Sequence, residues 1–367
     1  MNICFFIRDL NTSGGTERVS SVIANNLVDL GYNVKFITIE PVIQPFFRLS
    51  EKIELISLNN SIKNFHLNYI HNIFKLRKIL LKNNIELIID VCTSMSLISV
   101  PAIAGSNIKN ISWEHFHAGL NWNVFTNRFA RKLVSIFSDR IITLTHRDKV
   151  YFEDIYKAKN VDVIFNPITI QVNKKLKRED AINKLNLDTN KRYILAVGRL
   201  TEQKGFDMLL HIWEKTLLKI SGDWHLLIVG SGELNDDLHN LVNKLKLNSS
   251  VSILPSNSNI DLFYTVSEIF VMTSRFEGLP LVLIETKFFG LPAISFDCPN
   301  GPREIIRNNI DGVLVEYLNI EKFSETLEKV LKDDQLIKSY SLQCSNDLDR
   351  FNLTSIINQW DILIKSI

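Results

Sequence analysis

Several features are scarce in this chain of 367 residues. It has four cysteines, Cys4, Cys92, Cys298 and Cys344, which lie far apart without a CxxC pair. This spacing indicates neither a disulfide framework nor a zinc site. A reducing compartment fits best, so we expect a cytoplasmic protein.

Long apolar runs are also missing. The uncharged stretch 91–104 is interrupted by Pro101 and is shorter than the roughly 20 residues that a membrane-spanning helix needs. The apolar residues Ile3 to Ile7 are followed directly by Arg8 and Asp9, so we expect a first strand there and no export signal.

A strong charge of one sign is absent too, because the net charge is only +2. Residues 1–165 carry 19 Lys and Arg against 14 Asp and Glu, whereas the remainder carries 23 against 26. There is no basic run longer than the five-residue stretch 174–178, and zinc-finger spacing and an RNA-binding aromatic pattern are absent. We therefore expect no nucleic-acid partner.

What the chain does contain is an alternation of short apolar segments and amphipathic helical segments, which predicts an α/β fold with parallel sheets. The length favours two domains. We expect two Rossmann-like, doubly wound domains at 1–168 and 191–350, joined by the polar stretch 169–190. A terminal segment, 351–367, is predicted to be a helix that buries Ile357, Trp360, Ile362 and Leu363.

The most informative segment runs from Ser274 to Phe296 and predicts a strand, a turn, a helix, a turn and a strand. Gly278 permits close approach of the backbone, Pro280 suits the first turn of the helix, and Gly290 ends the helix. The unpaired amides and the dipole at the start of this helix favour an anion such as a diphosphate.

Two glutamates belong to this segment. Glu277 precedes the predicted helix and Glu285 lies about two turns further along it, so both could meet the hydroxyls of a sugar or ribose. For an isolated pair, the simpler interpretation is a helix cap and a solvated carboxylate.

A basic loop accompanies the two glutamates. Arg199 follows a predicted strand, and Lys204 precedes the next helix. A guanidinium and an ammonium group can neutralise a leaving diphosphate, which other enzymes achieve with a metal ion. Gly230 begins a further flexible turn after another strand, although a complete GxGxxG is absent. Taken alone, the two cations are also compatible with a surface charge cluster.

The ordered set of Gly198-Arg199-Leu200, Lys204-Gly205, Gly230-Ser231-Gly232, and Glu277 with Glu285 resembles the retaining glycosyltransferases of family 4. The loop Gly14-Gly15-Thr16-Glu17 is similar to that family as well. The resemblance covers nearly the whole chain. It implies the GT-B architecture, with two domains that face each other across a cleft and a terminal helix that returns to the first domain.

The resemblance also implies roles for single residues. Arg199 and Lys204 would bind the phosphates of a nucleotide diphosphate sugar, Glu277 the transferred sugar, and Glu285 the ribose. Gly14 and Gly15 would approach the donor from the first domain, and Gly230, Gly278 and Leu279 would complete its site. It implies retention of the anomeric configuration, and the nucleotide expected from the family is UDP.

His115 follows a strand in the first domain, where relatives often place a histidine beside the sugar; a packing role is the alternative.

We assign no catalytic base, no metal and no cofactor. Asp347-Leu348-Asp349 looks like a metal-binding DxD motif but lies far in sequence from the donor motifs, so a carboxylate at a helix start is favoured. The predicted catalytic groups are Glu277, His115, Arg199 and Lys204.

Two segments predict basic amphipathic helices. Residues 62–82 carry Lys63, Lys75, Arg77, Lys78 and Lys82 among apolar side chains such as Phe65 and Phe74, and residues 123–137 carry Arg128, Arg131 and Lys132 beside Phe125 and Phe129. Such helices either bind an anionic membrane surface or pack on a core with a solvated outer face.

The predicted function is transfer of a hexose or N-acetylhexosamine to a glycan or polyprenyl-diphosphate-linked acceptor, in the synthesis of O-antigen, lipopolysaccharide or capsule. The pathway comes from the resemblance alone. Three alternatives stay open, namely a sugar-nucleotide epimerase or a phosphorylase of the same fold and an inactive nucleotide-sugar-binding subunit.

Overall fold

The computed structural model describes residues 1–59, 69–119, 124–170 and 176–367. Ile62, Lys63, Phe65 and Asn123, which belong to the predicted basic helices, lie outside the described residues. The chain divides into two units, one formed by Met1–Thr169 with Phe351–Ile367 and the other by Ile170–Arg350. Each unit has its own parallel sheet.

The first unit contains a seven-stranded sheet in the order β3-β2-β1-β4-β5-β6-β7. Its strands are β1 (Asn2–Ile7), β2 (Asn33–Thr38), β3 (Glu54–Ser57), β4 (Leu87–Val91), β5 (Lys109–Glu114), β6 (Arg140–Thr143) and β7 (Val161–Val163). Its helices are α1 (Gly15–Asp29), α2 (Tyr69–Lys82), α3 (Ser96–Ile103), α4 (Val124–Phe137), α5 (His146–Tyr156) and the terminal α14 (Leu353–Lys365). The edge strand β3 was not predicted, because it is only partly buried and lacks a continuous apolar run.

The second unit contains a six-stranded sheet in the order β10-β9-β8-β11-β12-β13. Its strands are β8 (Arg192–Val197), β9 (Trp224–Val229), β10 (Val251–Leu254), β11 (Ser267–Met272), β12 (Ala293–Phe296) and β13 (Gly312–Val315). Its helices are α6 (Arg178–Leu185), α7 (Phe206–Leu217), α8 (Asn235–Lys244), α9 (Ile260–Val266), α10 (Leu281–Phe288), α11 (Pro302–Ile305), α12 (Ile320–Leu331) and α13 (Asp334–Cys344). The strand β13 was missed because it is short and begins with glycine.

Both sheets share one arrangement that positions functional side chains. In each unit the first strand lies inside the sheet, and later strands are added on both of its sides. β1 lies between β2 and β4, and β8 lies between β9 and β11. In such sheets ligands bind outside the carboxyl ends of the strands at this switch point. The loops after β1, β8, β9 and β11 all leave from carboxyl ends, and they carry the predicted glycines, cations and Glu277.

The predicted connection 169–190 contains α6. This helix buries Ala181 and Ile182, and Arg178 donates to the carbonyl oxygens of Val266 and Lys191. Part of the segment is therefore packed within the second unit. Two buried positions in an eight-residue helix are too few to produce a visible apolar period.

The terminal helix α14 packs within the first unit. Asn352 caps it by accepting from the amides of Thr354 and Ser355, and the ring of Trp360 lies 4.8 Å from that of Trp113. Its buried residues are Ile356, Ile357, Trp360, Leu363 and Ile364. The prediction for Ile362 was wrong, because that side chain lies on the opposite, solvent-exposed side of the helix.

Candidate active site

The centre of the site in the second unit is an ion pair between Lys204 and Glu277. Lys204 ends a short 3-10 turn after β8, and Glu277 lies in the turn between β11 and α10. The Lys204 Nζ donates to the Glu277 Oε1 over 2.6 Å, and the side chains are only 15% and 6% exposed. Two predicted catalytic groups are thus in direct contact, and the carboxylate fixes the position of the ammonium group.

The loop around this pair is held by further polar contacts. Arg199 is exposed and donates to the Gln203 Oε1 over 3.3 Å, while the Gln203 Nε2 donates to the Phe276 carbonyl oxygen over 3.1 Å. Arg275 forms two hydrogen bonds to Asp207, of 2.9 and 2.7 Å. The loop after β8 and the turn before α10 therefore form one structure, with the Arg199 guanidinium at its surface.

The helix α10 begins after Pro280 and ends before Gly290, as the sequence predicts. Gly278 and the buried Leu279 lie in the preceding turn. The structure adds a residue that the sequence analysis missed, because Gly301 has a φ of +92° and packs directly on this turn. A Cβ at Gly301 would overlap the carbonyl oxygen of Gly278, and Asn300 donates to the same oxygen over 3.4 Å. A Gly-Pro pair shortly after a strand was the available signal.

Gly230 lies against the basic loop. A Cβ at this position would overlap the carbonyl oxygen of Gly198, and a Cβ at Gly232 would overlap that of Leu200. These two glycines allow the turn after β9 to lie against the backbone that carries Arg199. The structure thus brings Gly230, Arg199, Lys204, Glu277, Gly278 and Leu279 into one set of connected loops.

Glu285 occupies a different environment from Glu277. It is buried within α10, and its Oε2 accepts from the Tyr264 hydroxyl group over 2.7 Å. The Tyr264 ring is stacked on Phe289 at 5.0 Å. The predicted contact between Glu285 and the ribose stays a prediction, and Tyr264 is a positioning residue that the sequence did not indicate.

Replacing Tyr264 with phenylalanine is expected to raise the KM for the donor about tenfold while kcat changes little. A hydrogen bond to a charged group contributes about 1.5–3 kcal/mol, and its loss would let the Glu285 carboxylate turn away from the position at which the sequence predicts the ribose. Steady-state kinetics with varied donor would measure this. Tyr193→Phe is the matched control, because it removes a 2.8 Å bond from a buried tyrosine to the Asp188 carbonyl oxygen. An unchanged KM for Tyr264→Phe would contradict the expectation.

In the first unit, the predicted glycine loop lies at the start of α1. Gly14 caps the helix, Gly15 is its first residue, and the carboxylate of Glu17 folds back over Gly14. The contact of Gly14 and Gly15 with a donor stays a prediction.

His115 is buried, with 7% of its surface exposed, and its ring lies 4.3 Å from that of Trp113. Its Nε2 has no hydrogen-bond partner among the described residues. Burial lowers the pKa of His115 to about 3, so the imidazole is neutral. His115 thus packs inside the unit, as the packing interpretation predicts. Its catalytic role stays a prediction.

The neighbours of His115 are paired within the unit. Glu114 accepts from the Arg131 Nε over 2.9 Å, and His117 lies 2.8 Å from the Asp148 carboxylate. All four side chains are buried. The prediction that Arg131 belongs to an exposed basic face was therefore wrong, because its charge is balanced inside the unit by Glu114.

The stability of the protein is expected to fall as the pH drops from about 7.5 to about 5. The unfolded chain protonates His115 near its ordinary pKa of about 6.5, whereas the folded chain holds it neutral down to about 3. The contribution of His115 is fully present above the unfolded pKa, and about 2 kcal/mol of it is lost at pH 5. Urea unfolding at both pH values would measure this loss.

His115→Phe should reduce that pH dependence, because phenylalanine does not titrate. His239→Asn changes an exposed histidine and should leave the dependence as it is in the unmodified protein. The same pH dependence in His115→Phe and in the unmodified protein would contradict the prediction.

The described residues contain no group of three or more His, Cys, Asp or Glu side chains that could hold a metal ion. Asp347 lies 2.6 Å from Arg350 and 3.4 Å from Lys287, so it belongs to an ion-pair cluster and does not start a helix as predicted. Asp349 begins a short 3-10 turn.

Comparison with known proteins agrees with this geometry. The family model described as Glycosyltransferase Family 4 matches residues 13–172, and the model described as Glycosyl transferases group 1 matches residues 177–343. An uncharacterized glycosyltransferase of Haemophilus influenzae is 34% identical over 98% of both chains. The chain is a family 4 glycosyltransferase.

Two further relatives of this glycosyltransferase carry more specific names. The amylovoran biosynthesis glycosyltransferase AmsD of Erwinia amylovora is 30% identical over 99% of both chains. A Campylobacter jejuni protein that is 27% identical over 100% of this chain and 99% of its own is named as an alpha-1,4-N-acetyl-D-galactosaminyltransferase of a PP-undecaprenol-linked glycan.

A solved structure supports the fold of the glycosyltransferase. HepE of Anabaena, in complex with UDP, matches with a TM-score of 0.81 and 16% identity over 100% of both chains. The GT-B class predicted from the sequence is therefore confirmed, with two Rossmann-like sheets of seven and six strands.

Proposed function

We propose that this glycosyltransferase moves a hexose or N-acetylhexosamine from a UDP-sugar to a glycan that is linked to a polyprenyl diphosphate, with retention of the anomeric configuration. The observation that carries the proposal is the largely buried Lys204–Glu277 pair at the carboxyl ends of the second sheet. The names of the relatives support a role in bacterial surface polysaccharides, and O-antigen, lipopolysaccharide and capsule are the candidate products.

The proposed mechanism uses the two cations for the leaving group. Lys204 and Arg199 would stabilise the charge on the β-phosphate as its bond to the anomeric carbon breaks. The acceptor hydroxyl oxygen would form the new bond on the same face of the sugar and pass its proton to the departing phosphate oxygen. UDP is then the leaving product, and Glu277 would orient the hydroxyl groups of the transferred sugar.

The proposal is tested by a panel of nucleotide sugars in thermal-shift measurements, followed by transfer assays with and without EDTA. We expect a UDP-sugar to stabilise the protein, transfer to continue in EDTA, and NMR to show a product with the donor's anomeric configuration. Glu277→Ala should abolish transfer. Failure of every nucleotide sugar to bind, together with transfer that survives Glu277→Ala, would refute the proposal.

The other outcomes of this test separate the alternatives. An inverted product would refute retention and the same-face attack, and loss of transfer in EDTA would refute metal independence. Release of a free, epimerised nucleotide sugar without acceptor would indicate an epimerase. Binding of the nucleotide sugar without any turnover would indicate an inactive binding subunit.

An exposed face of α4 supports a further part of the proposal, contact with an anionic membrane. We define the α4 surface as Phe125, Arg128, Phe129, Lys132 and Ile136, all of which are exposed. Of the three apolar side chains in this set, Phe125 is the most exposed, at 82%. No helix among the described residues is long and apolar enough to cross a bilayer. Aromatic and basic side chains on one helix face suit the interface of an anionic membrane.

The helix α2 contributes less to a basic surface than its sequence predicts. Lys75 donates to the Leu58 carbonyl oxygen, and Arg77 donates to the carbonyl oxygens of Ala102 and Ala104. Lys78 and Lys82 remain exposed beside Phe74. Two of the predicted lipid-facing cations are therefore engaged within the unit.

The double variant Phe125→Ser/Phe129→Ser is expected to weaken binding to phosphatidylglycerol vesicles at least tenfold. Insertion of each phenylalanine contributes about 1.5–3 kcal/mol, and the basic residues add an attraction that salt screens. Vesicle flotation at low and high salt measures both. Leu218→Ser is the matched control, because Leu218 is also highly exposed but lies in the second unit. Equal flotation of the double variant and the unmodified protein would contradict the assignment.

A further inference from the structure

Arg275 precedes Glu277 by two residues and connects the two loops of the candidate site. Its side chain is 26% exposed. The guanidinium group donates to both Asp207 carboxylate oxygens, over 2.9 and 2.7 Å, and to the Glu202 carbonyl oxygen over 2.7 Å. Glu202 begins the 3-10 turn that ends at Lys204, and Asp207 is the second residue of α7. One side chain therefore binds the chain on both sides of Lys204.

The main chain of Arg275 forms two more bonds of this kind. Its amide donates to the Gln203 carbonyl oxygen over 2.7 Å, and its carbonyl oxygen accepts from the Tyr317 hydroxyl group over 2.6 Å. Tyr317 lies in the turn after β13 and so adds a third loop to the site. The next residue, Leu318, has a φ of +61°, which residues with a side chain rarely adopt. Such strain is concentrated at functional sites, and here it lies in the turn that supplies Tyr317.

These contacts determine the position of the Lys204 backbone. Residues Glu202–Lys204 form one short 3-10 turn, and Gly205 follows with a φ of +65°. A Cβ at Gly205 would overlap the Thr273 carbonyl oxygen, and the Thr273 hydroxyl group donates to the Gly205 carbonyl oxygen over 2.9 Å. The turn is thus held by both Thr273 and Arg275, so the Lys204 side chain starts from a fixed point.

We propose that Arg275 is a positioning residue for the transfer reaction and that it acts through Lys204. The assignment rests on the proposed function, and it names the group that keeps the Lys204 ammonium at the place where the diphosphate would leave. The Arg275 guanidinium is directed to Asp207 and Glu202, so we assign it no contact with the donor. A displacement of about 1 Å at a reacting group can lower a rate about 100-fold.

The test is a double-mutant cycle between Arg275→Gln and Lys204→Met. Radiolabelled UDP-glucose, UDP-galactose, UDP-N-acetylglucosamine and UDP-N-acetylgalactosamine serve as donors, with an undecaprenyl-diphosphate-linked N-acetylhexosamine as acceptor, and donor hydrolysis by water is followed in parallel. We expect Arg275→Gln to lower kcat about tenfold in the unmodified protein and to cause no further loss in the Lys204→Met background. A merely structural residue would lower kcat by the same factor in both backgrounds.

Arg192→Gln is the matched control. Arg192 is 33% exposed and pairs with the carboxylates of Glu268 and Asp334, but it is the first residue of β8 and lies at the opposite edge of the same sheet. It should lower the urea midpoint to an extent similar to Arg275→Gln and leave kcat unchanged. Tyr317→Phe is the milder second variant, because it removes only the hydroxyl group that binds the Arg275 carbonyl oxygen. We expect it to lower kcat about threefold, again without effect beside Lys204→Met.

Equal losses from Arg275→Gln in both backgrounds would overturn the assignment. So would an unchanged kcat in Arg275→Gln and Tyr317→Phe while Lys204→Met loses activity, and in both cases the proposed function would stand. If Arg275→Gln does not fold, the cycle with Tyr317→Phe decides by the same criterion. The UDP-induced thermal shift is measured on the same samples. Its absence from the unmodified protein, together with neither transfer nor hydrolysis of any donor, would contradict the proposed function and the assignment with it.

Discussion

Replacing Lys204 with methionine is expected to lower kcat for sugar transfer by about 100–1000-fold, which is the usual effect of removing one fixed donor from a site where negative charge develops. The Lys204 ammonium is held by Glu277 at 2.6 Å, so under the proposed function it would need no rearrangement when the diphosphate leaves. Steady-state kinetics at saturating donor and acceptor would measure the loss.

The controls separate catalysis from folding. Lys215→Met removes a lysine that pairs with Glu321 at the surface of the same unit, and it should leave kcat unchanged. Lys204→Met leaves the buried Glu277 carboxylate without this partner, which destabilises the fold. The double variant Lys204→Met/Glu277→Gln should recover stability without recovering transfer. Recovery of transfer in the double variant would contradict a role for either group in the reaction.

Replacing Lys287 with methionine is expected to lower the free energy of unfolding by about 3 kcal/mol, the lower end of the effect of breaking a buried ion pair. Lys287 is almost fully buried in α10. Its Nζ donates to the Asp311 carboxylate over 2.6 Å and to the Ile305 carbonyl oxygen over 2.9 Å, and it lies 3.4 Å from Asp347. The expected loss of stability is at the lower end of this effect because Asp311 would still accept the 2.6 Å hydrogen bond from Arg307.

Urea unfolding would measure this loss of stability. Lys332→Met is the matched control, because Lys332 pairs with Glu328 on the exposed surface and such pairs contribute little. Its urea midpoint should be unchanged. A loss below about 1 kcal/mol for Lys287→Met would show that the cluster does not behave as a buried ion pair.

The central strands were predictable because continuous apolar runs are needed wherever a parallel strand is covered on both faces. β1 and β8 were identified on this basis. β3 and β13 lie at sheet edges. In β3, partial burial permits polar residues that remove the pattern, whereas β13 is a four-residue strand that begins with glycine. Helix α6 escaped prediction for a related reason, since Ala181 and Ile182 are its only buried residues.

Within the candidate site, the motif residues were predictable because their order in the chain resembles a known family. The partners of those residues were not. Lys204 and Glu277 are 73 positions apart, and nothing in local sequence states that they touch. Tyr264, which donates to Glu285, and Gly301, which packs against Gly278, are likewise separated in sequence from the residues that they contact.

The sequence by itself determined the α/β class, the two-domain organisation and the types of residue available for the chemistry, because periodicity and turn residues act over a few neighbouring positions. The tertiary structure alone decided which charges are paired and which are exposed. Arg131 and Lys75 turn inward, whereas Phe125 and Phe129 remain outside. Burial and pairing depend on segments brought together by folding, and these long-range contacts leave no local pattern in the chain.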